Sequence, residues 1–217
     1  MSNEIYLYDQ IGGPDANAAG LLPDIQAADP TEPITVHIHS PGGSVLDGEA
    51  ILSNLRSHPV GFIASISGMA FSMAANIALE ADLVIMPPDG WLMFHFTRDT
   101  RGGTAMDLAR QARVLDRMDE SLLDKLEARL GANNPGREVL DQRLAAEWWV
   151  DGKEALDLGL ADELTGAAAM AACAGPVPET APPNCLKYLD NSGALRETPT
   201  EPSNRLHEKI VFLARYR

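Results

Sequence analysis

Cysteine, positive charge and long apolar runs are all scarce in this sequence, and each scarcity excludes something. The two cysteines among 217 residues, Cys173 and Cys185, both lie late, in an Ala- and Pro-rich stretch. That is too few for a disulfide framework or a cysteine-held zinc, so free thiols are expected and no metal or organic cofactor is implied. No apolar run approaches the roughly 20 residues that cross a bilayer. The opening Met1-Ser2-Asn3-Glu4 has neither the basic nor the apolar region of a secretory leader, which predicts a cytoplasmic protein without membrane contact. Lys and Arg number 17 against 31 Asp and Glu, and a net charge of −14 argues against a nucleic-acid surface. The charge is also uneven. Arg205, Lys209, Arg215 and Arg217 against Glu208 make residues 203–217 a +3 tail, leaving −17 on the rest. Hydrophobic residues at 45% and charged residues at 22% suit a soluble globular chain with one good-sized core.

Within that chain, strand and helix patterns alternate. Ile5–Tyr8 reads as a strand ended by Gly12-Gly13-Pro14, and 16–28 as a modest helix broken by Asp29-Pro30. Ile34 to His39 alternates with period two, setting Ile34, Val36 and Ile38 on one face and Thr35, His37 and His39 on the other. Ser40-Pro41-Gly42-Gly43-Ser44 then opens a helix to about Ser57. Further strands are predicted over 60–66, 82–86 and 91–96, with His95 the ionisable residue of the last. Gly102-Gly103 precedes a long helix, 104–130, whose stripe of Leu108, Ala112, Leu115, Met118, Leu122, Leu126 and Leu130 needs a partner along its length. Helices at 137–146 and 153–158 and a short strand close a domain predicted over 1–165. Residues 166–203, with prolines at 176, 178, 182, 183, 199 and 202, read as a linker, and 204–217 as a basic amphipathic tail helix. The class is α/β, with repeated β-β-α units.

The chemistry gathers around Gly68-Met69-Ala70-Phe71-Ser72-Met73-Ala74-Ala75-Asn76. An apolar strand precedes it, an Ala-rich helix follows, and Gly68 reads as the hinge. Ser72 then falls in the first turn of a helix, where free N–H groups and the positive dipole end can stabilise an oxyanion. The plainer reading of such a serine is a helix N-cap. Two rival motifs are weak. Gly42-Gly43 lacks the Lys-Ser/Thr pair of a phosphate loop, and His37-x-His39 has no third ligand of clear spacing.

Taken together, Ser40-Pro41-Gly42-Gly43-Ser44, Gly68-x-Ala70-x-Ser72-Met73-Ala74, the strand ending in His95 before Gly102-Gly103 and a long helix, and the run from Ala146 to Asp162 resemble the Clp protease proteolytic subunit (ClpP-like, peptidase S14) family, of crotonase-like fold, over about residues 4–165. The resemblance implies a serine endopeptidase in which Ser72 attacks the peptide carbonyl and His95 serves as base and then acid. It assigns the oxyanion hole to the backbone N–H groups of Gly43 and Met73. It also implies a homo-oligomeric ring, stacked face to face through the long handle helix, acting on protein or peptide substrates. The acid departs from the family's usual Asp: Glu147 stands there, with Asp141 and Asp99 as weaker candidates. The Trp148-Trp149 pair, the short N-terminus and the Pro-rich tail resemble the phage head maturation branch, which cleaves capsid and scaffold proteins in the host cytoplasm or procapsid. The alternatives are a degradation subunit partnered by an unfoldase ATPase, a crotonase-type acyl-CoA enzyme and a non-catalytic structural subunit.

Overall fold

The structure is a computed structural model that describes residues 3–165. The linker predicted over 166–203, the tail helix over 204–217 and both cysteines lie outside the described residues. One mixed sheet organises what is described. Strands β1 (Glu4–Leu7), β2 (Ile34–Ser40), β3 (Phe62–Phe71), β4 (Leu83–Met86) and β7 (Glu163–Leu164) lie side by side in that order, all parallel. β5 (Trp91–Phe94) pairs with β3, and β6 (Trp148–Asp151) with β5 in the antiparallel sense. Helices α1 (Ala18–Ala27), α2 (Val45–Arg56), α3 (Met73–Leu79), α4 (Ala105–Leu130), α5 (Arg137–Ala145) and α6 (Gly152–Leu158) connect the strands. The α/β class is therefore as expected.

β2 shows why the sheet forms. Its alternation buries Ile34, Val36 and Ile38 completely beneath the helices. β3 differs from the expected strand in being longer. It runs on through Gly68 to Phe71, because its two halves serve different neighbours. Ile63–Ser65 pair with β4, whereas Met69–Phe71 pair with β5, and on the other side the register to β2 shifts between Ile38 and Ser40. Gly68, at φ 152°, is the bend between the halves and not the hinge into the helix. One run of chain thus acts as two successive strands before α3.

α3 packs deep because three of its buried residues, Ala74, Ala75 and Ala78, are small, and Met73, Ile77 and Leu79 fill the space around them. α2 crosses its start at Gly48, where an added Cβ would lie 2.3 Å from Met73 Cγ. β6 had no strand signal of its own; the chain adopts it by pairing with β5 and burying Trp148 and Val150. α4 begins at a capping box, Thr104 with Asp107, and buries Leu122, Leu123, Leu126 and Leu130. Its first half behaves differently. Leu108 stays 48% exposed and Met106 69%, and Ala112 is exposed, so the predicted stripe is covered only where the helix overlies the domain.

Candidate active site

Register brings the site together. β5 is the middle of three adjacent strands: Phe71 of β3 pairs with Met93 on one side, and Trp148 of β6 pairs with Phe94 on the other. One step beyond these pairs, at the same end of the ladder, stand Ser72, His95 and Glu147. Ser72 N–H donates to Met93 O at 2.8 Å, which ties the serine to the strand that leads into His95.

Ser72 occupies the N-cap position of α3, one residue before the first turn expected for it, and its hydroxyl makes no cap bond. Its backbone lies at φ 54°, ψ −122°, a region an L side chain adopts at a cost of about 1–3 kcal/mol. That single strained residue turns the chain from strand to helix. A serine kept only as a cap would have an extended backbone and a bonded hydroxyl.

Met73 is the first residue of α3, where a backbone N–H has no partner within the helix. The loop before α2 lies directly on this turn. A Cβ placed on Gly42 would sit 2.5 Å from Phe71 O, 2.8 Å from Ser72 Cβ and 3.1 Å from Met73 N. The loop is anchored on both sides of Gly43: Ile11 N–H donates to Gly42 O and Ser44 N–H to Ile11 O, each at 2.8 Å, while Ser40 Oγ–H donates to Asp9 O at 2.7 Å. Gly43 N–H is carried between these fixed groups.

His95 lies one residue past β5 and is half-buried. Its Nδ1 is 2.6 Å from Phe96 O. A carbonyl only accepts, so Nδ1 carries the proton and Nε2 is left as the basic nitrogen, the one a serine hydroxyl needs. Burial is the chief cause holding its pKa below the ordinary value, and Arg98 adds to it; Phe96 O, Glu147 and Asp119 oppose. The imidazole is thus neutral and ready to accept a proton at neutral pH.

Glu147 sits in the turn between α5 and β6 at φ 58°, its side chain 9% exposed and ion-paired with Arg98. The two weaker acids stand apart from this group. Asp99 is held by Arg101 at 2.6 Å, and Asp141 lies on the exposed side of α5. Asp119 of α4 was not anticipated. It acts electrostatically on His95 while accepting Thr97 N–H at 2.7 Å, a contact between a helix and a distant loop that no sequence spacing announces.

The two strand histidines do other things. His37 stacks on Tyr6 with ring centroids 4.9 Å apart and bonds Glu4. His39 is wholly buried, and neither ring nitrogen finds a hydrogen-bond partner among the described residues. Burial holds its pKa down to about 4, against an ordinary 6.5. Folded chains therefore keep His39 neutral while unfolded chains take up a proton below about 6.5. The stability this confers is complete above that pH and falls away as pH drops toward 4. Replacing His39 with phenylalanine should spare about 2–3 kcal/mol of the acid loss between pH 7 and pH 4.5. Urea midpoints of the two proteins at both pH values measure it; equal acid losses would refute the assignment.

Comparison with known proteins gives the family. Residues 2–168 match the family model described as Clp protease. The chain is 31% identical over 179 residues to the ATP-dependent Clp protease proteolytic subunit 1 of Leifsonia xyli, covering 79% of this chain and 87% of the relative. It is 31% identical over 142 residues to proteolytic subunit 3 of Rhodococcus jostii (64% and 69%), and 29% identical over 168 residues to the proteolytic subunit of Porphyromonas gingivalis (76% and 74%). A strained serine at a strand-to-helix turn, a neutral histidine beside it and a family match along the whole described domain lead to one conclusion: this chain belongs to the Clp protease family and is a serine-type endopeptidase.

Proposed function

We propose that the enzyme hydrolyses peptide bonds through Ser72 as nucleophile, His95 as general base and then acid, and Glu147 as the acid that orients and stabilises the imidazolium. Gly43 and Met73 N–H groups would receive the oxyanion. The observation that carries this reading is the backbone of Ser72: a strained φ of 54° spent on a hydroxyl that caps nothing. In the first step the Ser72 hydroxyl attacks the carbonyl carbon while its proton passes to His95 Nε2. The tetrahedral oxyanion collapses, the amine leaves with that proton, and water repeats the sequence on the acyl-serine. A crotonase-type acyl-CoA enzyme would need an oxyanion hole but not the strained serine.

Assembly into homo-oligomeric rings is supported by the uncovered start of α4, where Met106, Leu108 and Val114 stand exposed on a helix that projects past the core. Of the physiological settings, the names of the relatives support a proteolytic subunit that works with an ATP-driven partner. The phage head maturation role, with capsid or scaffold substrates, draws its support from sequence features such as Trp148-Trp149 and the Pro-rich 166–203 stretch. The test of the chemistry is reaction of the size-fractionated oligomer with a fluorophosphonate probe, followed by peptide mapping. Label on Ser72 is the expected result; absence of label in every oligomeric fraction would overturn the serine mechanism.

A further inference from the structure

Four consecutive residues after β5 have separate tasks. His95 is the base, Phe96 O fixes its tautomer, and Thr97 N–H moors the loop to Asp119 of α4 at 2.7 Å. Arg98 turns back across the site, and its Nη2 donates to Oε1 of Glu147. The two partners differ in setting: the Arg98 side chain is 67% exposed, the Glu147 side chain 9%. The cation therefore covers a nearly buried carboxylate from the solvent side.

A glutamate in the acid position needs such a hold. Its side chain has one more rotatable bond than aspartate, so its carboxylate has more places to go, while orienting a histidine demands a placement within about half an ångström. Its backbone, at φ 58°, sits in the left-handed region and is set by the turn after α5, where Glu147 N–H donates to Leu144 O at 3.2 Å. That fixes the root of the side chain and leaves its tip to be fixed by something else. A carboxylate has two oxygens and about four lone pairs, so a donor on Oε1 holds the group in place without exhausting it; with Nδ1–H already given to Phe96 O, Glu147 supports the imidazolium through its charge.

We propose that Arg98 is a positioning residue of the active site, which clamps the Glu147 carboxylate in the place from which it supports His95. It rests on the serine protease reading above. Arg98 does not touch the substrate; it acts through Glu147. It also acts by charge, because three charged groups face His95 from three elements: Arg98 from its own loop, Glu147 from the turn before β6, and Asp119 from α4. Arg98 disfavours the imidazolium and the two carboxylates favour it. Removing Arg98 therefore raises the pKa of the base and shifts the acid limb of the pH profile to higher pH.

The test is hydrolysis of a fluorogenic peptide by the assembled enzyme across pH 5–9, with fluorophosphonate labelling run in parallel on the same samples. Arg98→Ala should lower kcat about tenfold with KM unchanged, the signature of a misplaced catalytic group. Its acid limb should move up. Arg98→Lys should return the limb to the wild-type position, since the charge is restored, but recover kcat only in part, because an ammonium lacks the guanidinium's planar fork. In a Glu147→Gln background, Arg98→Ala should have little further effect on kcat. A kcat within twofold of wild type for Arg98→Ala, or an equal loss with and without Glu147, would overturn the clamp while Ser72 still labels. Loss of Ser72 labelling in the wild-type enzyme would instead bring down the serine mechanism and the clamp with it.

Discussion

Replacing His95 with alanine is expected to lower kcat for peptide hydrolysis about as far as replacing Ser72, on the order of 10⁴-fold or more, and the double variant should lose no more than either single one. The physical reason lies in the division of labour. A serine hydroxyl is a poor nucleophile until its proton has somewhere to go, and the acceptor proposed above is the His95 Nε2 that the Phe96 carbonyl keeps unprotonated. Without that base, the strained turn presents an inert alcohol; without the serine, the base has nothing to activate. What remains in either case is whatever the oxyanion donors and substrate binding supply. Initial rates on a fluorogenic peptide, measured with enzyme purified from a host lacking its own peptidases of this family, give the comparison. A His95→Ala enzyme within tenfold of wild type, or losses that multiply in the double variant, would remove His95 from the role of base.

Much of this was legible in the sequence wherever a short-range pattern carries the physics. The alternation of Ile34, Val36 and Ile38 announces a strand with one buried face, and Gly102-Gly103 before a leucine stripe announces α4. Ser72 was legible as a junction between strand and helix, but its place in that junction was misjudged by one residue. The misjudgement began at Gly68. A glycine after an apolar run reads as a strand's end, whereas here it bends a strand that exchanges β4 for β5 as its partner, and partner exchange is a property of the sheet. For the same reason β6 was invisible: Trp148 to Asp151 becomes a strand because β5 lies open beside it. Glu147 was reached by likeness to a family, not by spacing. Arg98 and Asp119 were not reached at all, since both act through contacts between a loop and an element far off in the chain.

Gly42→Ala should damage the fold and the chemistry of this enzyme together. The glycine lies at φ +88°, in the left-handed region, where an L side chain costs about 1–2 kcal/mol. Its new Cβ would also meet Phe71 O at 2.5 Å and Ser72 Cβ at 2.8 Å, both closer than atoms tolerate. Neither neighbour is the loose end of a flexible side chain. Phe71 O belongs to the backbone of β3, and Ser72 Cβ to the strained turn that carries the proposed nucleophile. Relief must come from the loop backing away, and that opposes the bonds from Ile11 N–H to Gly42 O and from Ser44 N–H to Ile11 O. Overpacking of this kind costs about 1–3 kcal/mol more. At about 2–4 °C per kcal/mol for a chain of this size, Tm should fall by roughly 5–15 °C. Activity should fall further than stability implies, because moving the loop carries Gly43 N–H away from Met73 N–H. An oxyanion donor lost in this way costs about 10²–10³ in kcat. Gly102→Ala is the matched control, since its Cβ meets nothing within 4 Å, and it should leave both Tm and kcat where they are. A Gly42→Ala enzyme that melts lower yet keeps wild-type kcat below its Tm would show that the loop is packing alone, and that the oxyanion is held by other donors.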